Sequence, residues 1–448
     1  MNRYEEYKKV NLIWLKEIPS HWEIIPISHV FEERRERNNN GNNQFILSVM
    51  KNIGVIPYTD KGNVGNKASE NIENYKVVYP NDLVLNSMNM MIGSLGKSNY
   101  KGVLSQVYYV LKLMNSSKYS IDYLNYLFKN KVFHESFRVL GKGILDHRLR
   151  VPIQLLKYEK ILIPPINEQE QIANYLDWKI NEIDRLIQIE KKKIKELQKL
   201  KEINFNKIIN SSQHNKSIKI KFFANLYGRI GWQGLNSSEY GDEGIYLITG
   251  TDFYNGTIDF SKCVRVPEFR WYQNDKIQIK NGDLLITKDG TVGKLAIVTN
   301  LVEKATLNSG IMKIDFFRND IVTKEYLFYI LKSNIFKSWF IDLNVGFATI
   351  IHLYQKDFYN FSFKYPEMRE QEIIVSKIKK LESVFNNQIA KIEESIKTLE
   401  LLKQSLISEV VTGKIDVRNI AIPEYEKVTV LDDQIEEFDE MEVIEDGN

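Results

Sequence analysis

A long helical segment occurs twice in this chain, about 202 positions apart, and each copy is announced by proline and the same acidic triplet. Pro164-Pro165 lead to Glu168-Gln169-Glu170, and Pro366 leads to Glu370-Gln371-Glu372. The apolar positions behind the triplets superpose: Ile172 on Ile374, Leu176 on Ile378, Ile187 on Ile389, Ile194 on Ile396, Leu197 on Leu399 and Leu200 on Leu402. A rod repeated together with the globular stretch before it puts two similar surfaces into one chain, which suits a two-part target.

The first rod, about 167 to 210, carries Ile180, Ile183, Ile187, Ile194, Leu197 and Ile208 at heptad spacing, and neither Gly nor Pro interrupts it. At 1.5 Å per residue it would be roughly 65 Å long, a coiled-coil length. Glu190, Lys201 and Asn204 fall on the same seam, where polar residues fix register at a cost in stability. The second rod places Ile378, Leu381, Phe385, Ile392, Leu399, Leu402 and Leu406 on its seam. Two rods of matching length pair most simply antiparallel.

The stretches before the rods read as α/β units. Candidate strands include Phe45 to Val49, Asp82 to Leu85, Val107 to Val110 and Lys160 to Ile163 in the first, and Ile245 to Ile248, Asp283 to Ile286 and Gly310 to Ile314 in the second. Helical patterns cover Ile121 to Leu140 and Tyr326 to Phe340. The pattern predicts a first domain over 1–165, a long helix over 166–212, a second domain over 213–366, a second long helix over 367–416 and an acidic, disordered tail over 417–448. The expected fold class is α/β (α+β): two similar globular domains separated by two long helices in an antiparallel coiled coil, with pseudo-two-fold symmetry.

At 448 residues the chain exceeds a single core, which stops growing near roughly 250 to 300 residues. No apolar run approaches the ~20 residues of a membrane span, and Met1 to Lys9 carries no secretory core, so a cytoplasmic protein without a membrane partner is expected. A single cysteine, Cys263, excludes an intramolecular disulfide, and six scattered histidines give no zinc spacing. No metal is assigned. The net charge of +3 conceals a division. Residues 417–448 hold Arg418 and Lys427 against eleven acids, which leaves +12 on residues 1–416. A basic body can bind a polyanion by counterion release.

Gly93-Ser94-Leu95-Gly96-Lys97-Ser98 has the look of a phosphate loop but holds Met91 where the first glycine belongs, so its amides cannot close the usual cradle. Asp289-Gly290-Thr291-Val292-Gly293-Lys294 lacks the spacing too. Both read as tight turns whose lysine can reach a phosphate. No cluster of nucleophile, base and acid appears, so no catalytic residue is assigned. Three loops carry donors suited to DNA: Lys142 to Arg150, Tyr227 to Gly234 and Gly346 to His352.

With these features in hand the chain resembles the specificity (S) subunit of type I restriction-modification systems. The resemblance covers residues 1 to about 416 and rests on the twin Pro…Glu-Gln-Glu helices, on His21-Trp22 after Ile18-Pro19, on Gly231-Trp232-Gln233-Gly234, on Tyr246 to Phe253 and on Gly282 to Gly290. The first domain keeps Asn81-Asp82-Leu83 but drops the Lys-Asp-Gly of the second. The resemblance implies a non-enzymatic reader whose two target recognition domains each take half of an interrupted double-stranded DNA site. The paired helices would act as ruler and as dock for two methyltransferase (M) subunits, with restriction (R) subunits beyond. S-adenosylmethionine, ATP and magnesium are then expected on those partner subunits, and no cofactor on this chain. The candidate DNA contacts are Lys97, Lys142, His147 and Arg148 in the first domain and Arg229, Trp232, Gln233, Lys288, Lys294, Thr349 and His352 in the second. The candidate docking residues are Glu168, Gln169, Glu170, Glu370, Gln371 and Glu372. The alternative is a coiled-coil interaction scaffold that reads no DNA.

Overall fold

The computed structural model describes residues 2–62, 67–69, 71–141, 149–211, 216–229, 235, 237–343 and 352–428. The chain divides into two units: residues 1–193 with the chain from 391 onward, and residues 194–390.

In the first unit, strands β1 (Phe31–Glu33), β2 (Leu83–Asn86), β3 (Leu95–Lys97) and β4 (Tyr108–Leu113) form an antiparallel sheet in the order β1-β4-β2-β3. Leu83, Val84 and Leu85 are all buried, so β2 carries apolar residues on both faces as a central strand must. Helix α1 (Ile121–Lys129) buries Tyr123, Leu124, Leu127 and Phe128, an i, i+1, i+4, i+5 stripe that packs into the main core. A separate pair, Glu23–Pro26 with Lys160–Ile163, carries the chain into the double proline. Helix α2 (Ile166–Asn210) then starts without a break and runs for 45 residues, leaving the first unit at Lys193 and entering the second.

The second unit repeats the layout. Strands β5 (Ala224–Gly228), β6 (Leu284–Thr287), β7 (Leu295–Ile297) and β8 (Ile311–Phe316) order themselves β5-β8-β6-β7, again antiparallel. Ser217–Lys219 pairs with Ser362–Lys364, the counterpart of the pair before α2. Helix α3 (Lys324–Lys332) takes the place of α1, and helix α4 (Met368–Val411) that of α2.

Two expected single helices are divided, each in the same way. The stretch 121–140 breaks at Asn130, whose side chain accepts from Val132 N at 3.1 Å and starts a new short helix. The stretch 326–340 breaks at Ser333, where Ile335 N donates to Oγ at 3.2 Å. Asn and Ser offer the backbone a cap that competes with helix continuation, and the apolar periodicity on either side hides the break.

Within each unit the two long helices pack antiparallel. In the first unit Ile180 and Ile183 of α2 join Leu406, Ile407 and Val410 of α4 in one core, and Lys403 Nζ reaches Asp184 at 2.7 and 2.9 Å. In the second, Phe205 and Ile209 share a core with Ile374 and Ile378, and Lys201 Nζ donates to Asn386 Oδ1 at 2.7 Å. Leu402, expected on the seam, is about half exposed.

Residues 417–428 differ from the expectation of a disordered tail. Gln171 Nε2 donates to the carbonyls of Val417 and Ile420 at 2.9 and 2.8 Å, Asn181 binds Glu426 O and Val428 N, and Lys427 lies 3.3 Å from Asp177. Val417 is fully buried. The acidic composition of the stretch as a whole outweighs Val417, Ile420 and Ile422, which are the residues that pack. The rest, 429–448, lies outside the described residues.

Candidate nucleic-acid interface

The glutamines of the two triplets are buried struts. Gln169 Oε1 accepts from Ser120 N at 2.8 Å, while its Nε2 donates to Pro164 O at 2.8 Å and Lys118 O at 3.2 Å. Gln371 repeats this with Thr323 N at 2.9 Å, Pro366 O at 2.9 Å and Ile321 O at 2.7 Å. Both are fully buried, and Ser120 and Thr323 are the N-caps of α1 and α3. Each glutamine thus locks the start of a long helix to the start of its unit's core helix. Glu168 is also interior: Tyr4 Oη, Trp22 Nε1 and His21 Nε2 meet it at 2.5, 2.9 and 2.8 Å. Burial and this carboxylate push the Tyr4 phenol up. The docking expectation is corrected for Glu168, Gln169 and Gln371, because a side chain closed in by its own unit cannot meet a partner. Glu170, Glu370 and Glu372 are exposed.

The candidate DNA contacts separate likewise. Arg229 is only 4% exposed; its Nε donates to Leu307 O at 2.8 Å and its Nη2 to Thr306 Oγ1 at 3.0 Å, and burial lowers its pKa. It is a packing residue of the second unit and is withdrawn as a base reader. Lys97 is ion-paired with Asp122, and its N–H donates to Asn125 Oδ1 at 2.9 Å, so it ties β3 to α1. It is withdrawn too. Both misreadings have one source: a cation near glycines looks free in sequence, and only the fold supplies its acceptor.

Lys288, Lys294 and His352 do come together, in the second unit. Thr287 Oγ1 accepts from Lys294 N at 2.9 Å and donates to Thr291 O at 2.6 Å, closing the turn in which Gly290 and Gly293 take φ of 68° and 89°. Lys294 Nζ donates to Gly250 O at 3.2 Å, and His352 Nδ1 meets Asp289 Oδ1 at 2.6 Å. Leu353 N donates to Lys288 O at 3.0 Å, which pins the segment bearing His352 to this turn. Lys142, His147, Arg148, Trp232, Gln233 and Thr349 lie outside the described residues.

The first unit holds what sequence reasoning missed, a cleft of about 840 Å³ beside β1. Glu33, Arg35 and Arg37 alternate along one face of the extended chain and line it, whereas Arg34 turns the other way onto Asp82, at 2.8 and 3.0 Å. That carboxylate holds the Arg34 pKa up. Lys76, Gln106, Arg150 and Gln154 complete the lining. Val151 N donates to Ser87 O at 2.9 Å, the counterpart of the bond from Leu353 to Lys288, so Arg150 stands in its unit where His352 stands in the other. The signal in sequence was the fully charged Glu33-Arg34-Arg35-Glu36-Arg37 run, which strand rules based on apolar residues pass over.

Among the described residues no group of His, Cys, Asp and Glu could hold a metal, and no helix is long and apolar enough to cross a membrane. A twice-repeated α/β unit, each copy locked to a long helix and presenting polar loop ends, defines a duplicated recognition protein. The chain belongs to the type I restriction modification DNA specificity domain family, whose sequence profile matches residues 19–199 and again 177–398. Its role is DNA sequence specificity, and the scaffold alternative is not favoured. It is 23% identical to the type I restriction enzyme MjaVIII specificity subunit of Methanocaldococcus jannaschii over 432 residues, covering 90% of this chain and 95% of that one. It is 23% identical to the EcoBI specificity subunit of Escherichia coli over 220 residues, 49% of this chain and 43% of that one. A chain solved in work on complex assembly and conformational transition of the type I R-M system shares its fold at a TM-score of 0.64 and 15% identity, over 89% of this chain and 99% of that one.

Proposed function

We propose that this chain is the non-catalytic reader of a cytoplasmic type I restriction-modification complex, in which each unit takes one half of an interrupted double-stranded DNA site. The observation that supports it is the duplicated frame: two sheets of one order, and in each unit a long helix locked to the core helix through the same three bonds of a buried glutamine. Two equivalent frames suit two half-sites about a helical turn apart, ~34 Å. The exposed faces of the helices, with Glu170, Glu370 and Glu372 at their starts, serve two M subunits, and R subunits join these. S-adenosylmethionine, ATP and magnesium act on those partners. Methylome sequencing of the host with and without the gene tests this. An interrupted adenine-methylation motif that vanishes on deletion and returns on complementation is expected, and an unchanged methylome refutes the reading.

A further inference from the structure

The cleft beside β1 has the chemistry of a site for a nucleic-acid strand. Its exposed rim carries three guanidinium groups, Arg35, Arg37 and Arg150, and three amides, Asn74, Gln106 and Gln154. Its one carboxylate, Glu33, is 9% exposed and is engaged by Arg35 at 3.2 Å and Lys76 at 3.5 Å, so it does not oppose an incoming anion. Lys76 is a fixed part of the wall: Nζ donates to Tyr108 O at 2.8 Å and burial lowers its pKa. Arg37 Nη1 donates to the neutral Asn74 Oδ1 at 3.2 Å, and among the described residues neither Arg37 nor Arg150 has a carboxylate partner. Guanidinium groups suit phosphates, and Asn and Gln suit the edges of adenine.

The floor is rigid. Tyr109 Oη donates to Val151 O at 2.9 Å, and the bond from Val151 to Ser87 fixes the segment on which Arg150 sits. Independently of the cleft's charge, the matching backbone bond in the second unit places His352 at the equivalent point, beside Lys288 and Asp289. The two units therefore present a nitrogen-bearing, polar side chain at one structural position, which singles that position out from the rest of the basic surface.

We infer that Arg35, Arg37 and Arg150 grip the sugar-phosphate backbone of the duplex in the first unit, with Asn74, Gln106 and Gln154 turned to base edges of the same half-site. This rests on the proposed DNA-reading function and assigns residues to it. The test uses the full chain reconstituted with its M subunits, and fluorescence anisotropy on a random-sequence duplex and on a duplex carrying the methylome-defined motif, between roughly 50 and 200 mM salt. Arg37→Ala with Arg150→Ala should lower the slope of log affinity against log salt by about 2, one per arginine, and weaken both duplexes alike by about tenfold. Arg37→Lys with Arg150→Lys should keep the slope, which separates lost charge from lost folding. Gln106→Ala and Gln154→Ala should leave the slope and relax preference in one half-site only. Lys160→Ala, exposed outside the cleft, should change nothing. An unchanged slope in the double alanine variant, melting as the parent does, overturns the assignment. A parent complex with no preferred duplex would instead sink the proposed function itself.

Discussion

Replacing Gln371 by alanine separates a structural strut from a docking residue. The substitution removes an acceptor from Thr323 N and donors from Ile321 O and Pro366 O, at 2.9, 2.7 and 2.9 Å. Gln371 is fully buried, so water does not replace it without repacking. At about 1 kcal/mol for each bond lost, the second unit should lose about 3 kcal/mol. For a unit of this size each kcal/mol lowers the midpoint by about 2 to 4 °C, so its calorimetric transition should fall by about 6 to 12 °C. Gln371→Glu is the sharper probe. It keeps an acceptor for Thr323 but sets a carboxylate against two carbonyl oxygens, so it should destabilise at least as much as alanine. Glu372→Ala, next in sequence and exposed, should stay within about 0.5 kcal/mol. Gln169→Ala should act on the first unit as Gln371→Ala acts on the second. Should Gln371→Ala melt with the parent while M-subunit binding weakens, the strut assignment is wrong and the residue docks a partner.

Three further outcomes are expected. Arg229→Ala should cost about 2 to 4 kcal/mol in urea unfolding, because it takes the buried donors from Leu307 O and Thr306 Oγ1, without shifting preference at any one base. Gly413→Ala should destabilise the first unit by at least about 2 kcal/mol, since φ is 74° and the added carbon would stand 2.5 Å from Pro19 Cδ; a melting curve equal to the parent's refutes that packing. Burial pushes Lys129 down to about 8, below the ordinary ~10.4, so between those values the unfolded chain holds the extra proton and stability should rise with pH. Lys129→Met should flatten that rise, which urea midpoints at about pH 8 and about pH 10, near the two ends of this window, would show.

The parts of the fold legible in sequence were those written in apolar periodicity. The strand around Leu284, the strand around Ile311 and both long helices announce themselves by apolar residues that recur at the spacing of a strand or a helix. What stayed hidden was polar and non-local. Gln169 at a helix start looks like a solvated residue, and its burial depends on a loop 51 positions earlier. Arg229 and Lys97 look free because Thr306 and Asp122 are distant in sequence. The arginines of the cleft failed to register for a different reason: the run from Glu33 to Arg37 is charged at every position, so no apolar face marks it as extended chain.

The two units agree where their side chains hold the frame and differ where those side chains meet solvent. Asp82 and Asp283 each precede the central strand and accept from a backbone N–H three residues back, Tyr79 and Lys280, both at 2.9 Å. Each also holds one cation, but Arg34 comes from beside β1 and Lys313 from β8, so the ion pair is retained although its donor has moved. At the position fixed by the bonds from Val151 and Leu353 the difference is larger: an exposed guanidinium in one unit, an imidazole engaged with Asp289 in the other. A scaffold whose units only needed to fold would have no reason to diverge at that point while retaining a three-bond glutamine elsewhere. A pair of readers for unlike half-sites does, because the frame must be rigid for any contact to discriminate, and the tips must differ for the two halves to be told apart.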